Sequence, residues 1–452
     1  MNPTDIPVPG RIARAPVTHS AVLAIALPIV ASNVSTPLIG VVDTAVIGQL
    51  GDAYYIGAIA VGAMLFNVLY WAFGFLRMGT TGLTAQADGA DDDAELRAVL
   101  GRALIIAAVA GAALIVLQVA IGAVAFGLLG ASVEVETHAR VYFAIRIWSA
   151  PAALANYAIL GWFIGLGRTS AAFALQIVLN GVNMALDALF VLGLGMGVEG
   201  VALGTVLAEV VAALAGLAYV AHELRRRRGG WDLALIRDAE RMKRMIAVNR
   251  DILIRTLCLL FAFTWFTAQG ATSGDVVLAA NAVLMNFLML SAYFLDGYAF
   301  AAETLAGRAV GQRDAGRFRR AVALSSGWAF ATSAVVSIVF ALVGPMVIDF
   351  LTVNDEVRAT ARVFLLWAAA APVVGVACFQ LDGVFIGATR TADMRNMMVL
   401  SLMAYLAAWW TLTPLIGNHG LWASIHVFFV FRAVTLGLRY PALVRAAFPS
   451  QQ

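Results

Sequence analysis

Charge is scarce in this chain. Only 13% of its 452 residues are Asp, Glu, Lys or Arg, against 62% hydrophobic, where a soluble domain carries roughly 25% charge. The shortage argues against a water-soluble globular protein, and a mean hydropathy of +0.86 agrees. Cysteine is nearly absent. Cys258 and Cys378, both in apolar surroundings, form no disulfide framework and no metal-ligand spacing. The five histidines (His19, His138, His222, His419, His426) are scattered. With no His, Cys or Ser constellation in view, a membrane-embedded enzyme lacks its machinery. There is no Gly-x4-Gly-Lys-Ser/Thr phosphate loop, so nucleotide-driven work is not expected. No cofactor is implied. The N-terminus carries Arg11 and Arg14 before an apolar run, but that run continues to Gly48, too long for a cleaved signal.

What is present is a series of apolar stretches of about 20 residues or more, long enough for a hydrocarbon core of about 30 Å. Twelve are expected, at 19–48, 55–81, 98–128, 139–165, 170–194, 199–222, 251–271, 276–306, 321–350, 359–387, 393–416 and 419–440. The fold class is all-α and polytopic; a transmembrane barrel would show alternating segments of about 10 residues. Connections after segments 2, 4, 6, 8 and 10 carry Arg97, Arg168, Arg225 to Arg228, Arg308 to Arg320, and Arg390 with Arg395, while those after 1, 5, 7 and 11 carry no Lys or Arg. Arg140 and Arg358, after segments 3 and 9, sit beside acidic residues and weaken this alternation without reversing it. The pattern predicts both termini in the cytoplasm of a bacterial-type inner membrane. It also accounts for the pI near 9.0 without nucleic acid.

The chain repeats itself. Gly161 to Thr169 (GWFIGLGRT) aligns with Gly383 to Thr391 (GVFIGATRT), an offset of 222. Gly89 meets Gly311 and Arg97 meets Arg319 at the same offset, Gly51-Asp52 meets Gly274-Asp275 at 223, and Gly200 meets Gly420 at 220. Six spans return the chain to its starting side. Two six-helix lobes related by a pseudo-two-fold axis along the membrane normal follow. The lobes are expected over 1–222 and 251–452, with a cytoplasmic linker over 223–250 that could include a helix on the membrane surface.

Against this apolar background two carboxylates stand out. Asp43 and Asp187 lie inside segments 1 and 5, where an ionisable group costs at least about 2.5–3.5 kcal/mol and marks function by default. Depth counting at about 1.5 Å per residue places both, with Thr205 of segment 6, some 8–10 Å below the outer boundary. Asn180, Asn183 and Asp187 share one helical face, as do Thr205 and Glu209. Carboxylates, amide oxygens and a hydroxyl suit a proton or a small hard cation such as Na+ at Asp43, Asn183, Asp187 and Thr205. The 222 offset pairs Asp43 with Trp265 and Asp187 with Trp409, so the second lobe lacks this set. Pro28 and Pro37 interrupt segment 1, and Pro28 is a candidate bending point. Asp296 and Glu303, seven residues apart on one face of segment 8, form a secondary polar pair, with Glu209 a further secondary site. Arg255, Asp382 and Arg432 are the other intramembrane charges of the second half.

These residues resemble a known family. Leu27-Pro28-Ile29 followed by Val41 to Ala45 (VVDTA), Asn183-x3-Asp187 and Thr205 are similar to the first lobe of multidrug and toxic compound extrusion (MATE) transporters. Arg77 to Ala87 (RMGTTGLTAQA), Asp296-Gly297 and Leu381 to Arg390 (LDGVFIGATR) resemble its DinF branch. The resemblance runs through essentially the whole chain. It implies a V-shaped pair of lobes and an antiporter that expels small organic, often cationic or amphipathic, compounds in exchange for H+, or alternatively Na+. A monomer in membrane lipid is expected. A flippase for a lipid-linked precursor, from the related superfamily, is the alternative. Such proteins often have extra helices and a cationic cavity, whereas this chain shows twelve spans and an acidic first lobe. A channel would need a filter sequence or oligomeric symmetry, neither of which shows.

Overall fold

A computed structural model describes residues 16–48, 53–130 and 132–449, apart from the side chains of residues 36–47, 53 and 129. Arg11, Arg14, the Gly51-Asp52 pair and the side chain of Asp43 lie outside the described residues.

Helices in lipid satisfy their own backbone groups, which is why apolar runs of this length take no other form. The first half contains α1 (His19–Ile47), α2 (Ala53–Ala72), α3 (Phe75–Gly89), α4 (Asp93–Val116), α5 (Gln118–Leu129), α6 (Val133–Arg146), α7 (Ala150–Gly165), α8 (Thr169–Asp187) and α9 (Val198–Arg225). After α10 (Leu233–Arg237) come α11 (Ala239–Ala271), α12 (Asp275–Gly311), α13 (Ala315–Leu351), α14 (Asp355–Gly387), α15 (Thr391–Ile416) and α16 (Asn418–Ala447). Ten stretches of described residues are long and apolar enough to span a membrane. With α1 and α11 they make the expected twelve. Short polar residues start several helices: Asp92 caps α4, Asp314 caps α13 and Asn354 caps α14, each accepting from a backbone N–H two or three residues on.

Four departures from the expected segments matter. The second segment breaks at Phe73 and Gly74, whose N–H groups bond Tyr70 and Trp71 carbonyls at 3.0 Å. It then resumes as α3 down to Gly89, well past residue 81. The third breaks between α4 and α5. The fourth begins at Val133 and passes through a 3-10 turn, Ile147–Ser149, before α7. The charged run before residue 251 is not a separate surface helix from Ala239 onward, because α11 is continuous from there.

The repeat is visible in the backbone. Asp91 and Arg313, Gly167 and Thr389, and Gly195 and Gly417 are three pairs of positive-φ residues, each pair 222 apart. Close helix approaches repeat too. A Cβ on Gly161 would strike the Arg77 carbonyl, and one on its equivalent Gly383 would strike the Ala299 carbonyl. Gly165 meets Thr81 as Gly387 meets Glu303. Between halves the pattern is exchanged, as two-fold symmetry requires. Gly89 faces the Arg308 carbonyl and Gly311 faces that of Gln86; Gly82 faces the Ile386 carbonyl, and Thr304 donates to Ile164 at 2.9 Å.

The halves therefore touch along the ends of α3, α7, α12 and α14, next to the arginine-bearing connections. Gln86 donates to the Gly387 carbonyl at 2.9 Å and to Thr389 Oγ1 at 3.1 Å. Asp88 pairs with Arg308 at 3.0 Å and with Arg227 at 2.8 Å. α1 is shared between halves. Arg320 of α13 donates to the Val17 carbonyl just before it, Asn33 donates to the Tyr293 carbonyl of α12, and Thr169 of α8 donates to the Ala24 carbonyl at 3.1 Å.

Candidate functional site

Asp187 ends α8, where the chain changes to a π-helical turn, Ala188–Gly193. Such turns often occur at functional sites. The side chain is 1% exposed. One turn earlier on the same face, the Asn183 amide donates to Asp187 Oδ2 at 3.1 Å and to Thr205 Oγ1 of α9 at 3.3 Å. The Thr205 hydroxyl donates back to the Val201 carbonyl at 3.0 Å, which leaves its lone pairs toward Asn183. α9 comes this close because position 204 is glycine: a Cβ there would collide with Asp187 Oδ1.

In this arrangement one NH2 group bridges a carboxylate and a hydroxyl. Which amide atom is nitrogen is an assignment from the hydrogen-bond network. With the amide turned over, the same space is bordered by three oxygen atoms from Asn183, Asp187 and Thr205, a donor set for a hard cation. The residues present therefore fit either a protonating carboxyl or Na+.

Asn180 does not join them. Its side-chain oxygen accepts from Gln176 at 2.8 Å. Glu209, four residues after Thr205, turns to another partner: Asn156 of α7 donates to its carboxylate at 2.6 Å and to its backbone carbonyl at 3.0 Å. The charge of Arg146 reaches Glu209 as well, and Arg146 itself donates to Tyr142 at 2.6 Å. Glu209 thus belongs to a separate polar group among α6, α7 and α9. Asp43 lies on α1, which packs against α8 and the π turn; its side chain is outside the described residues.

The second half is built differently. At the positions equivalent to 43 and 187, Trp265 and Trp409 meet edge to face with ring centroids 5.0 Å apart. Its charges gather elsewhere. Asp382 of α14 accepts through one oxygen, Oδ2, from Arg255 of α11 (2.5 and 3.1 Å) and from Arg432 of α16 (2.6 Å). Beside them a cavity of about 140 Å3 opens between the halves, lined by Trp71, Arg77 and Met78 on one side and by α11, α12, α14 and α16 on the other. Asp296 lines it. Glu303, on the same face of α12 and 1% exposed, is not among its walls.

The MatE family model matches this chain twice, over residues 28–189 and 253–409, with starts 225 apart and ends 220 apart. The chain belongs to the MatE family. It is 41% identical to DNA damage-inducible protein F of Escherichia coli (strain K12) over 91% of this chain and 90% of that protein. It is 26% identical to a probable multidrug resistance protein NorM of Caulobacter vibrioides over 93% and 91% of the two chains. An outward-facing structure of a multidrug resistance MATE family transporter superposes with a TM-score of 0.86 at 19% identity, covering 98% of this chain and 99% of that one. The expected family, its DinF branch and the twelve-helix, two-lobed MATE fold are thereby borne out. The protein is a multi-pass membrane transporter, not an enzyme.

Three features of this MatE-family chain are not legible in its residue order. Gly204 carries no chemistry and gave no signal. Arg77 enters the sequence reading only as the start of the Arg77 to Ala87 motif, in a segment expected to stop at 81. In the MatE fold of this chain α3 continues to Gly89, about two turns further, and Arg77 faces the central cavity. Arg255 and Arg432 were visible as charges in apolar runs, but nothing in their spacing revealed that both answer to Asp382.

Proposed function

We propose that this MatE-family protein is a secondary active efflux transporter that exchanges small organic compounds for H+, or alternatively Na+, by alternating access. The observation that carries the reading is the buried Asp187 carboxylate, held by Asn183 opposite Thr205, in one half of a repeated fold whose other half has Trp409 in that place. A carboxylate of this kind, withdrawn from water, exchanges a cation at a cost the membrane gradient can meet. Asp43 is proposed as the second carboxylate. Its repeat equivalent Trp265 touches the equivalent of Asp187, which supports placing the two aspartates side by side. Asn180 is retained only as a polar neighbour one turn away, since it pairs with Gln176.

The moving units are proposed to be residues 1–222 and 251–452, joined through 223–250. With both termini in the cytoplasm, the Gly82–Gly89 and Thr304–Gly311 seams close the cytoplasmic side, and the cavity beyond them serves the opposite face. Cation arrival at Asp187 and Asp43 would change the packing of α8, α9 and α1. Pro28 is the proposed bending point of α1. The protein is expected in the inner membrane as a monomer. The flippase alternative has one observation in its favour, the arginines lining the cavity.

The test is transport in sealed vesicles with H+ and Na+ gradients imposed separately. One gradient should drive uptake of a dye substrate, and Asp187→Asn and Asp43→Asn should each abolish it while the protein remains inserted. Gradient-driven transport that survives both substitutions would overturn the reading.

A further inference from the structure

We propose that the cavity between the halves receives the anionic head of an amphipathic organic acid, with Arg432, Arg255 and Arg77 as its receptors. This narrows the substrate of the efflux reading, on which it rests. Four ionisable side chains line the cavity, three of them arginines and one Asp296. Guanidinium groups keep their charge in any protein environment and offer five N–H donors in a fixed fork. Here those donors are under-used. Arg432, 1% exposed, spends Nη2 on Asp382, while its Nε and Nη1 find no acceptor among the described residues. Arg77 Nε has none either. Asp382 stands behind the cavity wall and answers two guanidinium groups with a single oxygen.

Aromatic rings hold these cations in position. Arg77 lies over Phe300 at 4.5 Å, and Arg432 lies near Phe428 at 5.3 Å and Phe379 at 5.9 Å. Ring faces steady a guanidinium without consuming its N–H edge, and that edge suits a carboxylate or another planar oxyanion. Leu259, Phe263, Leu288 and Phe429 complete the walls and fit an apolar body. An organic cation would meet three arginines in the wall, with Asp296 the one carboxylate beside them and Asp382 behind it already engaged by Arg255 and Arg432. The same head chemistry is carried by a free organic acid and by an anionic lipid.

The experiment measures equilibrium binding to the full chain in zwitterionic lipid nanodiscs, with no gradient. Decanoate, decanol and decyltrimethylammonium share one chain length and differ in head charge. Decanoate should bind roughly tenfold or more tighter than either of the others, the scale expected of a charge-assisted contact. Arg77→Gln should weaken decanoate and not decanol. Arg432→Gln, which leaves Asp382 paired with Arg255 and so strands no charge, should do the same. Asp296→Asn should tighten decanoate, an effect that a structural role for the arginines would not produce. Phosphatidylglycerol in the disc should compete if the occupant is a lipid, and should not if it is a free acid. Equal or tighter binding of the ammonium, or decanoate affinity unchanged by both arginine variants, overturns the proposal. Because no gradient is used, such a failure leaves the efflux reading standing, and failed efflux in vesicles leaves this binding result standing.

Discussion

The hydroxyl of Thr169 donates to the backbone carbonyl of Ala24 at 3.1 Å, and Ala24 is the residue whose helical partner would be the missing N–H of Pro28. A proline in a helix leaves the carbonyl four residues earlier without its bond. In a membrane such groups are re-satisfied by neighbouring helices and their Ser or Thr side chains. α8 thus fills the gap that Pro28 makes in α1, and the helix carrying Asp187 is tied to the proposed bending point of the helix carrying Asp43.

This tie gives a double-mutant cycle. Thr169→Val should lower stability by roughly 1 kcal/mol, the scale of polar contacts between membrane helices. Pro28→Ala restores an N–H for Ala24, so Thr169→Val made in that background should cost clearly less. Thermal unfolding of the four proteins in detergent measures the coupling. Additive losses would show that Thr169 does not serve the proline gap.

Gly204 permits α9 to approach Asp187. Gly204→Ala should therefore reduce gradient-driven transport strongly while leaving insertion intact, because the added methyl pushes directly on the carboxylate. Gly181→Ala on α8, where a Cβ would meet nothing within 4 Å, is the control and should transport normally. Equal transport by the two variants would remove Gly204 from the site.

Asp88 joins Arg308 of the second half to Arg227 beyond α9. Asp88→Asn should loosen the closed seam and shift the population toward opening there. Cysteines placed at Gln86 and Thr389, whose side chains bond across the seam at 3.1 Å, in a background lacking Cys258 and Cys378, report this as a fall in cross-linking yield. A yield unchanged by Asp88→Asn would show that the glycine contacts alone hold the seam.

Asp382 is the shared ion-pair partner of Arg255 and Arg432, both buried. Asp382→Leu strands two guanidinium groups, and breaking a buried pair in this way costs about 3–5 kcal/mol. Poor expression or a large fall in Tm is expected, in contrast to a much smaller change for Arg77→Gln, since Arg77 is half-buried and in no ion pair among the described residues. Expression and melting of the two variants side by side decide the point.

Much of this was legible in the residue order, and for identifiable reasons. Segments of apolar residues specify helices because lipid offers the backbone no other partner, so existence and number of spans were readable. The 222-residue repeat was readable because both copies keep the glycines at which helices cross, such as Gly161 with Gly383 and Gly165 with Gly387. Asn183, Asp187 and Thr205 were grouped by helical spacing and depth, and three of the polar residues do meet. Spacing could not separate Asn180 or Glu209 from them, because a helical face is about a third of a turn wide and partners from other helices divide it. Gln176 takes Asn180, and Asn156 of α7 takes Glu209.

By itself, then, the sequence determined a membrane protein of two similar halves, with acidic groups in one half and tryptophans at the equivalent positions of the other. These are properties of composition, period and order along one chain. Only the tertiary structure decided which charges answer one another. Arg255, Asp382 and Arg432 come from three helices, and Arg77 reaches their cavity from the opposite half. In a low-dielectric interior an ion pair is set by a few ångströms of separation, and such distances between remote segments are settled by helix packing, not by sequence spacing.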